Sequence, residues 1–304
     1  MPISEKTTSP KTNQDTATAG AQKNFWEILP SFWNSQRLRP IPSPTVRGSL
    51  FGLIKRGRHE VLENLEVYSD KNIIITYSGM SLGQADLDVW MYILQKAGQR
   101  FTDPSVTYLS LEFQITQFLT AIGRKGGKSG RPGGRDKEWL LESLHRISSG
   151  TITVKTPSNE RGIVGSLITQ AYWDVSKNKL IVDVNSKLGY LFSAKPTLLS
   201  VDVRTSLIGD DLALWLYNFI TSHKDPYNNM IYGIDTIMKR CRTQTKEHRK
   251  FKHRLAEKME RLMAIDEKDR NFHSWVIDGN NLVIFFSKES RARWEKPSPV
   301  QLTF

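Results

Sequence analysis

Gly123-Arg-Lys-Gly-Gly-Lys-Ser-Gly130 has the residue types of a phosphate-cradling loop and closes on Gly-Lys-Ser. A mononucleotide loop also needs a glycine where Ile122 stands, because the turn it closes wraps backbone amides around the β-phosphate. Such a loop follows a buried strand, yet Leu111, Ile115, Phe118 and Ile122 recur at helical spacing just ahead of this one. The near-match to an ATPase loop fails on both counts. Across positions 123–135 the loop carries five Lys or Arg, six glycines and no acid. Arg124, Lys125, Lys128, Arg131 and Arg135 suit the phosphates of a nucleic-acid backbone, which glycines let the chain approach closely. The competing reading is a linker kept soluble by its charge.

A second cationic cluster lies further on. From Lys239 to Lys258 there are nine Lys or Arg and two glutamates. A solvated helix interleaves both signs to gain i,i+4 pairs, and this one does not. Phe251 and Leu255 mark its inner side, and stepping about 100° per residue puts Lys246, Arg249, Lys250 and His253 opposite them. With Arg242 these are candidate DNA contacts; an exposed lysine-rich face is the alternative.

Catalytic candidates are fewer. Asp202, Asp210 and Asp211 invite a paired-carboxylate or metal reading. Asp210 and Asp211 precede the apolar run of a helix, however, where carboxylates satisfy free amides and the helix dipole. Cys241 sits in a basic, helical setting that lowers thiol pKa values, but no histidine partner is evident. The six histidines are scattered, whereas the tyrosine nucleophile of a nicking enzyme works beside a histidine-rich metal site. No catalytic residue, metal or cofactor is expected, and any duplex opening is expected to draw on binding energy and DNA deformation.

The elements that position these residues follow from periodicity. Asn72–Tyr77 reads as a strand, and a helix over about 84–97 turns Leu87, Trp90, Ile93, Leu94 and Ala97 to one side. A helix over 111–122 precedes the glycine loop. A third, from about Asp136 to Ser148, has Asp136 as its N-cap and Leu140, Leu144 and Ile147 as its inner stripe. Opposite that stripe lie Arg135, Glu138, Glu142, His145 and Arg146. Two carboxylates there repel phosphate, although glutamate can accept from cytosine N4. Strands over 151–155, 165–173 and 179–184 follow, with a turn at Ser176–Asn178.

The order then recurs. A helix over 207–222 inters Leu212, Trp215, Leu216, Phe219 and Ile220. A short helix over Ile234–Arg240 leads to a long one over 245–264. A hairpin of Ser274–Ile277 and Asn281–Phe286 closes on Asp278-Gly279, a strong hairpin signal. The expected fold is therefore α+β: two tandem winged helix-turn-helix domains over 48–200 and 201–290. A disordered tail with a short aromatic segment (Asn24–Trp33) covers 1–47, and a flexible tail covers 291–304. The second domain is expected to read bases and the first to hold the backbone.

Composition agrees. There are 43 Lys and Arg against 31 Asp and Glu in 304 residues, a formal net charge of +12. Such an excess speeds association with polyanions and says nothing of fold. An anionic membrane surface is the bland competitor to nucleic acid. No apolar run approaches the roughly 18 residues of a spanning helix, and the N-terminus has no signal-peptide core. The lone cysteine is compatible with the cytosol.

Two stretches carry a family resemblance: Ile75-Thr-Tyr-Ser-Gly79 with Asp86-Leu-Asp-Val-Trp90, and Tyr217-Asn-Phe-Ile-Thr-Ser-His-Lys-Asp-Pro-Tyr227. The chain resembles TrfA-type plasmid replication initiators from about Leu29 to Phe286. The resemblance implies binding to repeated origin sequences (iterons) as double-stranded DNA, opening of the adjacent AT-rich duplex, and recruitment of the host initiator, helicase and polymerase sliding clamp. It also implies a monomer–dimer equilibrium in the bacterial cytoplasm. Arg47-Gly-Ser-Leu-Phe51 is similar to the family's clamp-binding segment, with Leu50 and Phe51 as apolar anchors and Arg47 where glutamine is usual. Gln301-Leu-Thr-Phe304 is fainter, with one residue missing. A winged-helix transcriptional repressor and a nicking or ATP-driven initiator are the alternatives.

Overall fold

The structure, a computed structural model, describes residues 33–54, 58–101, 107–124, 126, 130–192, 196–225 and 227–295. The tail over 1–23, the aromatic segment over 24–32, Lys125, Lys128 and positions 296–304 lie outside that set. Leu38–Ile41 (β1), Ser43–Arg47 (α1), Phe51–Gly52 (β2), Val61–Ser69 (β3), Ile74–Met80 (β4) and Leu82–Gly83 (β5) come first. The expectation of a disordered tail as far as residue 47 fails over 33–47. Trp33, Ile41 and Val46 are core side chains, and burying them fixes the segment.

Gln84–Gly98 (α2) is the centre of the first half. Beyond its expected stripe, Val89 and Met91 are also buried, and a helix apolar on most sides belongs inside. Asp86 accepts the Gly83 N–H at 2.9 Å and holds the first turn.

Tyr108–Gln114 (β6) and Ile115–Ala121 (α3) replace the single helix expected over 111–122. Leu111 and Phe113 turn inward with period two, and helical spacing starts only at Ile115. A spacing of four satisfies both patterns, so the strand partner decided. Gly134–Ser149 (α4) starts ahead of the expected cap. Asp136 is not the N-cap: it reaches back from the first turn to accept the Gly133 N–H at 2.9 Å.

Thr151–Lys155 (β7), Gly162–Gly165 (β8), Gln170–Asp174 (β9) and Lys179–Asn185 (β10) follow. The strand expected over 165–173 is thus divided between two sheets, ordered β3-β4-β7-β8 and β6-β10-β9. Between β8 and β9, Leu167 and Ile168 plunge into the core. The Trp90 Nε1–H donates to the Leu167 carbonyl at 3.2 Å and pins the crossing to α2.

Thr197–Ser200 (β11) pairs antiparallel with β1, and Val201–Ser206 (α5) leads to Asp211–Ser222 (α6). Gly209, at φ +87°, breaks the chain between them, so the helix expected from 207 starts at 211. Met230–Gly233 (β12), Ile234–Cys241 (α7), His248–Met263 (α8), Glu267–Arg270 (α9), Ser274–Asp278 (β13), Asn281–Phe285 (β14) and Lys288–Glu295 (α10) complete it. Helix α10 occupies the start of the tail expected over 291–304. The fold is mixed α+β, with one continuous hydrophobic core through both halves.

The two halves share one order: helix, strand, helix, helix, hairpin. In each, the lone strand pairs with the second hairpin strand, giving β6-β10-β9 and β12-β14-β13. Between its third helix and its hairpin the first half inserts β7 and β8, and the second half the short α9.

Candidate nucleic-acid interface

Helix α8 is the third helix of the second half. Phe251, Leu255, Met259 and Leu262 are fully buried along one side, and their spacing alone fixes which side faces out. Arg249, Lys250 and His253 are exposed on the other side, and Lys246 is exposed just before the helix. The expected start at 245 fails because Arg242 adopts a left-handed conformation at φ +53° and the helix begins only at His248. Lys246 and Arg249 have no ion-pair or hydrogen-bond partner among the described residues. Lys250 pairs with Glu247 at 2.6 Å, both side chains being about two-thirds exposed, an arrangement worth well under about 1 kcal/mol.

The hairpin is tied to this helix. Lys252 Nζ donates to the Gly279 carbonyl at 2.6 Å in the turn between β13 and β14, and Gly279 has φ +56°. Arg254 Nη1 donates to Thr245 Oγ1 at 2.9 Å and steadies the approach to the helix. Neither residue stood out in the sequence, where both are two more cations in a cationic run.

Arg242 does not join this surface. Its Nη2 donates to the Leu82 carbonyl at 3.1 Å, and it lies so near Gly52 that a Cβ there would meet its Nε at 2.4 Å. Arg146 is also withdrawn. It is 6% exposed and bonds Asp86 at 2.8 Å, because the helix turns it inward beside Ser143, another Asp86 donor. Both are expected DNA contacts, Arg146 from its place opposite the α4 stripe and Arg242 from the cationic run, and both side chains are engaged inside the protein instead.

The third helix of the first half, α4, exposes Arg135, Glu138, Glu142 and His145. The two glutamates have no partner among the described residues. Arg124 stacks on Trp139, with its guanidinium carbon 3.2 Å from the ring centroid, and sits 3.6 Å from Asp136. Arg131 is exposed at the loop's far end.

Leu50 and Phe51 are 1% and 2% exposed. Phe51 stacks on Trp90 at 5.6 Å. Arg47 is equally committed: its Nε donates to the Ser222 carbonyl at 3.0 Å, capping the C-terminus of α6. A Cβ on Gly48 would fall 2.0 Å from the Val67 carbonyl oxygen. The folded chain does not present Leu50 and Phe51 as clamp anchors.

The catalytic candidates have structural partners. Asp210 caps α6 by accepting the Ala213 N–H at 3.2 Å and pairs with Arg261 at 2.7 Å. Asp202 pairs on the surface with Arg37. Cys241 is buried, and burial pushes its thiol up to about 12, far from a reactive thiolate.

No family model matches the sequence, and no curated protein matches it. Among solved structures, domains 2 and 3 of RctB superpose with a TM-score of 0.50 at 12% identity, covering 81% of this chain and 98% of theirs. A second structure of those domains gives 0.49 at 11% identity, over 80% and 97%. At such identity the likeness is one of fold.

Proposed function

We propose that the chain is a replication initiator that binds double-stranded origin DNA through two tandem winged helix-turn-helix domains, with the exposed side of α8 in the major groove. One observation carries this. Helix α8 and the turn just before it present Arg249 and Lys246 without partners among the described residues, beside a hairpin held by Lys252, on a helix whose opposite side is buried. The initiator-like fold, shared with domains 2 and 3 of RctB, supports the reading. So does the shared order of the two halves, in which the third helix and hairpin are the parts that grip duplex.

The finer reading follows the TrfA-type resemblance: iteron binding, opening of the adjacent AT-rich duplex, helicase recruitment and a cytoplasmic setting. Opening proceeds from binding energy, without nicking or ATP hydrolysis. Contact with a sliding clamp through Leu50 and Phe51 requires the segment to leave the core. Exposing two large apolar side chains costs roughly 3–6 kcal/mol, which a clamp pocket must repay. No helix among the described residues is long and apolar enough to cross a membrane.

The test is footprinting on candidate plasmid origins with permanganate probing of unpaired thymines. Protection of repeats with reactive thymines beside them supports the initiator. Protection alone indicates a repressor, and no protection ends the DNA reading.

A further inference from the structure

Where the two halves meet, a buried polar layer sits within the shared hydrophobic core. Arg204, on α5, is 2% exposed. Its Nε donates to Asp88 Oδ1 at 2.7 Å, its Nη1 to Asn218 Oδ1 at 2.7 Å, and its Nη2 to the Gln84 carbonyl at 3.0 Å. Asn218 Nδ2 closes the ring by donating to Gln84 Oε1 at 2.8 Å. Gln84 and Asp88 belong to α2, the first helix of one half, and Asn218 to α6, the first helix of the other. One guanidinium therefore bonds both leading helices. Two smaller ties run beside it, Arg242 to the Leu82 carbonyl at 3.1 Å and the Leu53 N–H to the Cys241 carbonyl at 2.7 Å.

Apolar contacts tolerate sliding, whereas directional bonds among buried groups do not. A rotation between the halves would strand a buried charge and several donors together. Buried polar networks of this kind fix a unique arrangement more than they add stability.

We infer that the Arg204–Gln84–Asn218 junction fixes the distance and helical phase between two DNA-gripping faces, so that the protein measures the spacing between the halves of an extended duplex site. This rests on the proposed DNA binding. The three are positioning residues and touch no base. With about 10 base pairs per turn, inserting 5 between the two contacted segments moves one segment to the far side of the duplex, where a rigid pair cannot follow.

The experiment uses the full chain and its footprinted site, intact or lengthened centrally by 5 base pairs. The wild type is expected to lose about 30-fold or more in affinity on insertion, in line with the loss of a few base contacts. Gln84→Leu/Asn218→Leu leaves the Arg204–Asp88 pair and the bond to the residue-84 carbonyl in place, so the guanidinium keeps its counter-charge while Nη1 loses its side-chain acceptors. Its insertion penalty should shrink to below about 5-fold, while a merely structural role would weaken both sites equally. If that variant does not fold, Arg242→Met gives the same comparison from a neighbouring tie. Equal wild-type affinity for both sites overturns the inference and leaves DNA binding intact, as does a folded variant with an undiminished penalty. Absence of any footprint removes both.

Discussion

Helices α4 and α8 hold the same place in the same chain order, and they bury comparable stripes: Leu140, Leu144 and Ile147 in one, Phe251, Leu255 and Met259 in the other. Their outer sides differ. The first shows Glu138 and Glu142; the second shows Arg249, Lys250 and His253. Of the two arginines on α4, Arg135 stays exposed at the helix start and Arg146 is spent on Asp86 inside the protein. On the proposed DNA reading, topology offers a helix in each half, and the charge left facing outward decides whether it attracts the backbone.

Arg146→Ala is the sharpest way to break the comparison. Leaving Asp86 buried without its partner should cost about 3–5 kcal/mol, read from the urea midpoint. Arg249→Ala should stay within about 0.5 kcal/mol. An Arg146→Ala protein of unchanged stability but weakened DNA binding would put both helices on the duplex in the same manner.

Charge reversal comes next. Lys246→Glu/Arg249→Glu should lower duplex affinity about 100-fold, measured by fluorescence anisotropy at fixed salt. Glu138→Lys/Glu142→Lys, in the first half, should raise affinity for any duplex by up to about 10-fold. A larger loss from the second pair would reverse the assignment of roles.

The halves should also differ toward acid. In the second, His223 packs between Phe219 and Tyr232, its Nδ1–H donating to the Phe219 carbonyl at 2.7 Å and its Nε2 accepting from the Tyr232 hydroxyl at 3.0 Å. Burial lowers it from 6.5 to about 4. Between those values the unfolded chain takes up a proton that the folded chain refuses. Stability is therefore complete well above pH 6.5 and falls as pH drops toward 4, by on the order of 3 kcal/mol. His223→Phe should flatten that part of the pH–stability curve, and a curve as steep as the wild type's would show that another group sets it.

The smallest effect is in salt dependence. Lys246→Ala/Arg249→Ala should make the log–log salt slope shallower by about 2, and Lys125→Ala/Lys128→Ala by a similar amount with equal weakening across sequences. Sequence-selective weakening by the loop pair would assign base reading to the first half.

Much of this was legible in the residues. The stripes of α2, α4, α6 and α8, the turn at Asp278-Gly279 and the loss of phosphate-loop spacing at Ile122 all rest on local rules of periodicity and turn chemistry. The boundary at 114–115 was not, because Leu111 and Ile115 fit either period. Nor was the fate of Arg47-Gly-Ser-Leu-Phe51, where a short partner-binding pattern and a core segment use the same apolar pair.

The sequence by itself determined which helices are amphipathic and where the excess positive charge lies along the chain. Only the tertiary structure decided which cations remain available. Arg249 was left facing solvent, while Arg146, Arg204 and Arg242 were drawn inside by Asp86, by the Gln84–Asn218 pair and by the Leu82 carbonyl. A guanidinium leaves water only where fixed acceptors meet it, and those acceptors are contributed by elements far away in the chain.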